Sequence, residues 1–172
     1  MRIGIFGGSF DPVHLGHEAL VKEARVKLSL DKVFVVPVWV SPFKIDTPPI
    51  ASAKERVAML EVAFGELSWV EILTNEVDRK EVSYTIHTVR GMVQKFPRDQ
   101  LVLILTEEAR PSFPRWKEVG EIQKLVNVAF VGHRSSISAT EVRERLQQGL
   151  DCKNFLSAKV LDYIEKHRLY SL

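Results

Sequence analysis

The chain has little of the cysteine, net charge or long apolar sequence that would tie it to zinc, nucleic acid or membranes. Its one cysteine, Cys152, cannot close an intrachain disulfide and has no CxxC partner, which excludes zinc ribbons and thioredoxin chemistry. Its 24 Lys+Arg against 22 Asp+Glu leave a formal charge of only +2, so neither nucleic acid nor an anionic membrane is implied as a partner. Any basic site must be local. No apolar run approaches the roughly 18 residues of a transmembrane helix. The opening MRIGIFGGSFDP breaks at glycines instead of continuing as a signal peptide would. There is no internal repeat, low-complexity stretch or Pro/Gly/Ser linker. A cytoplasmic protein is expected, although a single cysteine is compatible with either redox compartment.

What is present is 172 residues, 45% apolar and 27% charged, enough for one α/β domain over residues 1–172 with a two-sided core. β-rich runs alternate with helical patterns. Strands are expected at 2–6, 32–38, 69–73, 101–105 and 127–131. The run LVLIL at 101–105 is continuously apolar, as in a strand covered on both faces. A helix is expected from about 16 to 28. Ser52-Ala-Lys-Glu55 is a capping-box signature for a helix burying Val57, Leu60 and Phe64. Ser83 is a candidate cap for a helix running to Phe96. Further helices are expected at 116–125, from a second box at Ser138-Ala-Thr-Glu141 to about 148, and at 157–167, so that 138–172 is a helical C-terminal part. Alternation of this kind implies right-handed crossovers and a Rossmann-like, doubly wound parallel sheet of about five strands with helices on both faces. Ligands of such sheets lie beyond the carboxyl ends of the strands, so the segments 7–17, 39–44, 106–116 and 132–143 matter most.

The first of these reads Gly7-Gly8-Ser9-Phe10-Asp11-Pro12-Val13-His14-Leu15-Gly16-His17. Two glycines at a strand-to-helix turn let backbone approach a ligand and leave N–H groups free for an anion. The spacing fits neither GxGxxG nor GxxxxGK[ST]. His14 and His17, three apart at a helix start, can face one side, and Gly16 between them leaves room beside the backbone. Alternatives are half of a zinc site, although no second His or Cys pair has ligand spacing, or two histidines that merely pack.

GGSFDPVHLGH resembles the HxGH motif of the nucleotidyltransferase superfamily that also contains class I aminoacyl-tRNA synthetase domains. Ile137-Ser-Ala-Thr-Glu-Val-Arg143 is similar to its second signature, ISSTxIR. With ASAKERVAMLEVAF at 51–64, SYTIHTV at 83–89, Pro114-Arg115-Trp116 and KVLDYIEKHRLY at 159–170, nearly the whole chain resembles bacterial nicotinate-nucleotide adenylyltransferases. That resemblance implies transfer of AMP from ATP to nicotinate mononucleotide, with release of deamido-NAD and pyrophosphate in NAD biosynthesis. It implies that His14, His17, Lys44 and Arg143 carry the phosphate chemistry. Gly7, Gly8, Ser9, Phe10, Gly16, Thr106, Glu108, Ile137 and Ser138 would hold ATP, and Tyr84, Thr85 and Trp116 the acceptor. Mg²⁺ would arrive with ATP, held by phosphates and water and by no protein cage. The partners implied are ATP and a mononucleotide, without nucleic acid or membrane, and homo-oligomerisation is left open. Each residue also has a plainer reading: Trp116 as packing, Lys44 and Arg143 as solvated charges, Ser138 as an N-cap.

Three departures stand out. Thr106-Glu107-Glu108 replaces the family's Gly-x-Asp, His87 stands where an Asp is usual, and the stretch from Val131 to Ile137 is short. They keep two alternatives open: a same-fold enzyme for another phosphate (nicotinamide mononucleotide or phosphopantetheine), and a nucleotide-binding protein with impaired catalysis.

Overall fold

Strand residues point alternately to opposite faces, so apolar runs without polar interruptions need cover on both sides. The computed structural model describes residues 1–132 and 137–171. Five strands, β1 (Arg2–Gly8), β2 (Lys32–Pro37), β3 (Val70–Ile72), β4 (Gln100–Thr106) and β5 (Asn127–Val131), form one sheet in the order β3-β2-β1-β4-β5. Every pairing is parallel. Helices α1 (Leu15–Lys27), α2 (Ala53–Phe64), α3 (Asn75–Arg79), α4 (Thr85–Lys95) and α5 (Val119–Leu125) lie between the strands, and α6 (Ala139–Gln147) and α7 (Ala158–His167) follow β5. The Rossmann-like doubly wound sheet expected from the alternation is the fold.

Ile3, Ile5, Phe34, Leu101 and Leu103 pack toward Ile86, Val89 and Met92 of α4 and Ile122 of α5. Their neighbours in sequence, Val33, Val35, Val102 and Ile104, belong to the opposite core with Val21 of α1, Leu60 of α2 and Ile164 of α7. On that second face a Cβ at Gly4 would lie 2.7 Å from Ile104 Cδ1 and 2.8 Å from Leu30 Cδ1, so both side chains close over bare backbone.

The Ser52–Glu55 box forms as expected: Glu55 N–H donates to Ser52 Oγ at 3.2 Å, and Ser52 N–H to Glu55 Oε2 at 2.8 Å. The buried stripe of α2 is shifted, however. Arg56 takes the place expected for Val57, which is half-buried, and leads Leu60 and Phe64 at i, i+4, i+8. Ser83 does not cap α4; its Oγ accepts the Trp39 N–H at 2.9 Å, beside a parallel bridge between Val40 and Val82. The helix expected at 116 begins only at Val119, because Trp116 ends a 3-10 turn and Glu118 has a left-handed φ of 54°. The short α3 has no counterpart among the expected elements. Residues 133–136, which include most of the short stretch after β5, lie outside the described residues.

Two buried polar side chains join the loops at the strand ends. Arg56, 2% exposed, donates through Nη1 to Ser9 O and Val38 O at 2.7 Å each, and through Nε to Ala51 O at 3.3 Å. Burial lowers its pKa, and the nearby Asp11 opposes that shift. Asp11 accepts from Ile50 N–H at 2.7 Å, Ala51 N–H at 2.9 Å and Tyr170 O–H at 2.7 Å. Removing a charge-assisted buried donor leaves several carbonyls without their partner and costs roughly 3 kcal/mol or more, whereas a lost neutral hydroxyl costs about 1 kcal/mol. Arg56→Met is therefore expected to lower the urea midpoint far more than Tyr170→Phe. Equal midpoints would mean that the guanidinium contributes no more than one hydroxyl.

Candidate active site

In the order β3-β2-β1-β4-β5 the chain reverses direction between β1 and β4, which opens a crevice beyond their carboxyl ends. The turn leaving β1 is built around Phe10, whose φ of 49° is left-handed and rare for a side chain of this size. That conformation folds the ring back over Gly8, where a Cβ would stand 2.9 Å from Phe10 Cζ. At Gly7 a Cβ would meet only Val36 O, at 3.8 Å, so the space beside this residue belongs to the crevice.

The turn delivers His14 to the N-cap of α1 and His17 to its first turn. The two rings stack with centroids 3.7 Å apart, and Phe10 meets His17 edge-on at 5.0 Å. His14 N–H donates to His17 Nδ1 at 3.3 Å, so Nδ1 is the unprotonated nitrogen and the proton of the neutral ring sits on Nε2. Burial lowers the pKa of His14 to about 4. His17 is held well below the usual range by desolvation, then by His14 and by Lys44. Both rings are neutral near pH 7, and each offers one N–H.

A cleft of about 750 Å³ opens at the strand ends, and the structure gathers many of the expected site residues around it. Gly7, Gly8 and Ser9 form the wall next to β1, and Thr106 and Glu108 the wall next to β4. Lys44 stands on the loop after β2, and Tyr84, Thr85 and Trp116 close the far end. The Trp39–Ser83 bond and the Val40–Val82 bridge hold the Lys44 loop against the start of α4. The indole N–H of Trp116 is buried without a hydrogen-bond partner among the described residues. Such a donor is costly to leave unpaired.

Other expected residues stand beside this lining. His14, Gly16 and His17 open α1, and Lys44 is near enough to His17 to act on its charge. Ser138 is the N-cap of α6 and accepts the Glu141 N–H at 3.1 Å, next to Ile137. Arg143, on α6, donates to Asp11 O at 2.7 Å and to Thr140 Oγ1 at 3.3 Å, beneath the turn. Glu107 pairs with Arg110 at 2.8 Å, which leaves Glu108 of this departing segment facing the cleft. His87 sits one turn into α4, 6.1 Å from the Tyr84 ring. Among the described residues no group of three or more His, Cys, Asp or Glu is arranged to hold a metal ion.

Sequence reasoning missed Asp11 and Arg56 as organisers of this site, and Glu76, a buried carboxylic acid of α3 in the cleft wall. Arg56 had a signal: a charged residue in phase with the apolar stripe Leu60–Phe64. Glu76 had none, since α3 is only five residues long.

The profile of the cytidylyltransferase-like family matches residues 5–145. A relative in Thermus thermophilus that carries the name nicotinate-nucleotide adenylyltransferase is 37% identical over 188 residues, covering 99% of this chain and 100% of its own. One of the same name in Dictyoglomus thermophilum is 33% identical over 197 residues, covering 99% and 100%. Among solved structures, the chain superposes on a nicotinate-nucleotide adenylyltransferase of Vibrio parahaemolyticus with a TM-score of 0.79 at 19% identity, over 98% of this chain and 94% of that one. Plasmodium falciparum nicotinic acid mononucleotide adenylyltransferase complexed with NaAD gives 0.75 at 20% identity, over 98% and 97%. These two structures speak for the fold. Sheet order, turn and family profile together define a nucleotidyltransferase. The full-length relatives narrow that class, and the chain belongs to the nicotinate-nucleotide adenylyltransferase family.

The lowered pKa of His14 makes stability depend on pH. A histidine that binds protons less readily folded than unfolded contributes its full share above its unfolded pKa and loses it as pH falls. For His14 the window runs from 6.5 down to about 4, and a shift of that size is worth about 3 kcal/mol. Unfolding free energy is expected to fall across this window, and His14→Asn to flatten part of the slope and leave the part due to His17. An unaltered slope in the variant would mean that His14 titrates normally in the folded protein.

Proposed function

We propose that the protein transfers the AMP part of ATP to nicotinate mononucleotide, forming deamido-NAD and pyrophosphate, and that it works in the cytoplasm. The observation that carries this reading is the cleft itself. The glycine turn lines it and leads into the helix start that carries two neutral histidines, and Tyr84 with the unpartnered Trp116 indole belongs to the same lining. No described helix is long and apolar enough to cross a membrane.

In the proposed reaction an acceptor phosphate oxygen forms a bond to the α-phosphorus of ATP while the bond from that phosphorus to the bridging α–β oxygen breaks. The electron pair leaves with pyrophosphate. The nucleophile is already ionised near neutrality, so no general base is needed, and catalysis reduces to positioning and charge stabilisation. The backbone of Gly7–Phe10 would cradle the nucleotide, with Gly16 giving clearance beside it. His17 Nε2–H and the His14 ring would donate to phosphate oxygens as charge shifts toward the leaving group. Lys44, on an exposed loop, would follow the triphosphate into the cleft. Ile137, Ser138 and Arg143 would serve the pyrophosphate end, where the start of α6 supplies free amides. Thr106 and Glu108 would face the nucleoside. Tyr84, Thr85 and Trp116 would receive the pyridine ring, since an indole can stack on a flat ring while its N–H takes an acceptor atom. Mg²⁺ is read as part of the ATP substrate, carried by phosphates and water.

Purified protein with ATP, Mg²⁺ and nicotinate mononucleotide is expected to release pyrophosphate. Loss of a transition-state donor in His17→Ala should lower kcat/KM by about a hundredfold. Trp116→Ala should raise the acceptor KM by roughly tenfold, the size of a ring-stacking contact. Release only with nicotinamide mononucleotide or phosphopantetheine would reassign the acceptor. No release with any acceptor, despite ATP binding, would mean nucleotide binding without catalysis.

A further inference from the structure

Glu76 is 6% exposed and lines both the large cleft and an adjoining cavity of about 280 Å³. Its carboxylate accepts the Thr88 hydroxyl of α4 at 2.5 Å and is also hydrogen-bonded by Ser83. Both partners are neutral. Among the described residues no cation lies within ion-pair distance of it, and Arg79 acts on it only through space. Burial consequently raises the Glu76 pKa, against the opposing pull of Thr88, Ser83 and Arg79. A buried carboxylate with this little compensation is costly unless a positive charge arrives beside it.

The acceptor end of the cleft is where such a charge would come. The ring of an N-glycosylated pyridine carries a formal positive charge on nitrogen; Tyr84 lines both cavities with Glu76, and Trp116 lines the larger one. Lys117, whose ammonium stands 4.3 Å from the centroid of the Tyr84 ring, would offer the carboxylate of a nicotinate a separate counter-charge. We infer that Glu76 is a specificity-determining residue, the counter-ion that makes the acceptor end prefer a cationic N-glycosylated pyridinium ring to a neutral ring of the same outline. This rests on the reading of the cleft as a site for nicotinate mononucleotide.

The test compares two acceptors that differ in ring charge, nicotinate mononucleotide and its 1,4-dihydropyridine form, in wild type and in Glu76→Gln. Glutamine removes the charge while its amide oxygen can still accept from Thr88 and Ser83. Wild type is expected to favour the pyridinium acceptor in kcat/KM. Glu76→Gln is expected to reduce that preference by roughly tenfold, the scale of one charge contact in a partly desolvated site. The ATP KM should stay within about twofold, because uniform binding of the other substrate is untouched. A general loss of packing would lower both acceptors together and leave the ratio where it was, which overturns the inference. Equal use of the two acceptors by wild type overturns it without any variant. Failure of wild type to use nicotinate mononucleotide at all would instead overturn the functional reading beneath it.

Discussion

One buried guanidinium sets the geometry on which the rest depends. A parallel sheet delivers its strand ends to one edge, and the loops leaving them must stay close enough to form a crevice without collapsing into it. Arg56 meets that constraint by donating to the carbonyls of Ser9 and Val38, one just past β1 and the other just past β2. It fixes their separation with five N–H donors in a rigid fork, which a lysine's flexible point charge could not do. Asp11 then anchors the β1 turn to the residues before α2, and Arg143 holds the carbonyl of Asp11 from the opposite side. The histidines, the glycines and the cleft wall inherit their positions from these contacts.

The electrostatics of the site follow from burial more than from charge count. The chain as a whole is almost neutral, and the two rings at the heart of the turn are kept uncharged by desolvation. Neutral donors suit a cleft meant to receive polyphosphate and then release it, since fixed cations would bind ground state and transition state alike. Lys44, which lines the same cleft, is exposed. The opposite arrangement holds at Glu76, an acid of the cleft wall buried among neutral hydroxyls.

Much of this was legible in the sequence, and the parts that were not share a cause. The strand over 127–131, the Ser52 box and the two-sided core follow from local pattern and periodicity, which act over a few residues. The residues around the first turn were readable because glycine, histidine and proline are punctuating types with few uses. Ser83 was misread because a serine before a helical run looks the same whether it caps the helix or bonds to Trp39, 44 residues away. Glu76 was invisible for the same reason, and the phase of Arg56 with Leu60 and Phe64 could mark it as buried without naming its partners: what makes both important is a set of contacts distant in sequence. The left-handed Lys80 that ends α3 and the left-handed Glu118 before α5 carry no glycine signal at all. Local propensity lost to tertiary contacts at both places.

The bond from Tyr170 to Asp11 joins residues 159 apart. During synthesis the turn that presents His14 is made early, and β1 can pair with β2 long before the last helix exists. Until residue 170 has left the ribosome, Asp11 has a carboxylate oxygen lacking its hydroxyl, and α7 is not yet packed against the core beneath it. The nascent chain can therefore form the glycine-histidine turn before its buried anchor at Asp11 is complete, so the full set of contacts that holds the turn depends on a residue 159 positions downstream.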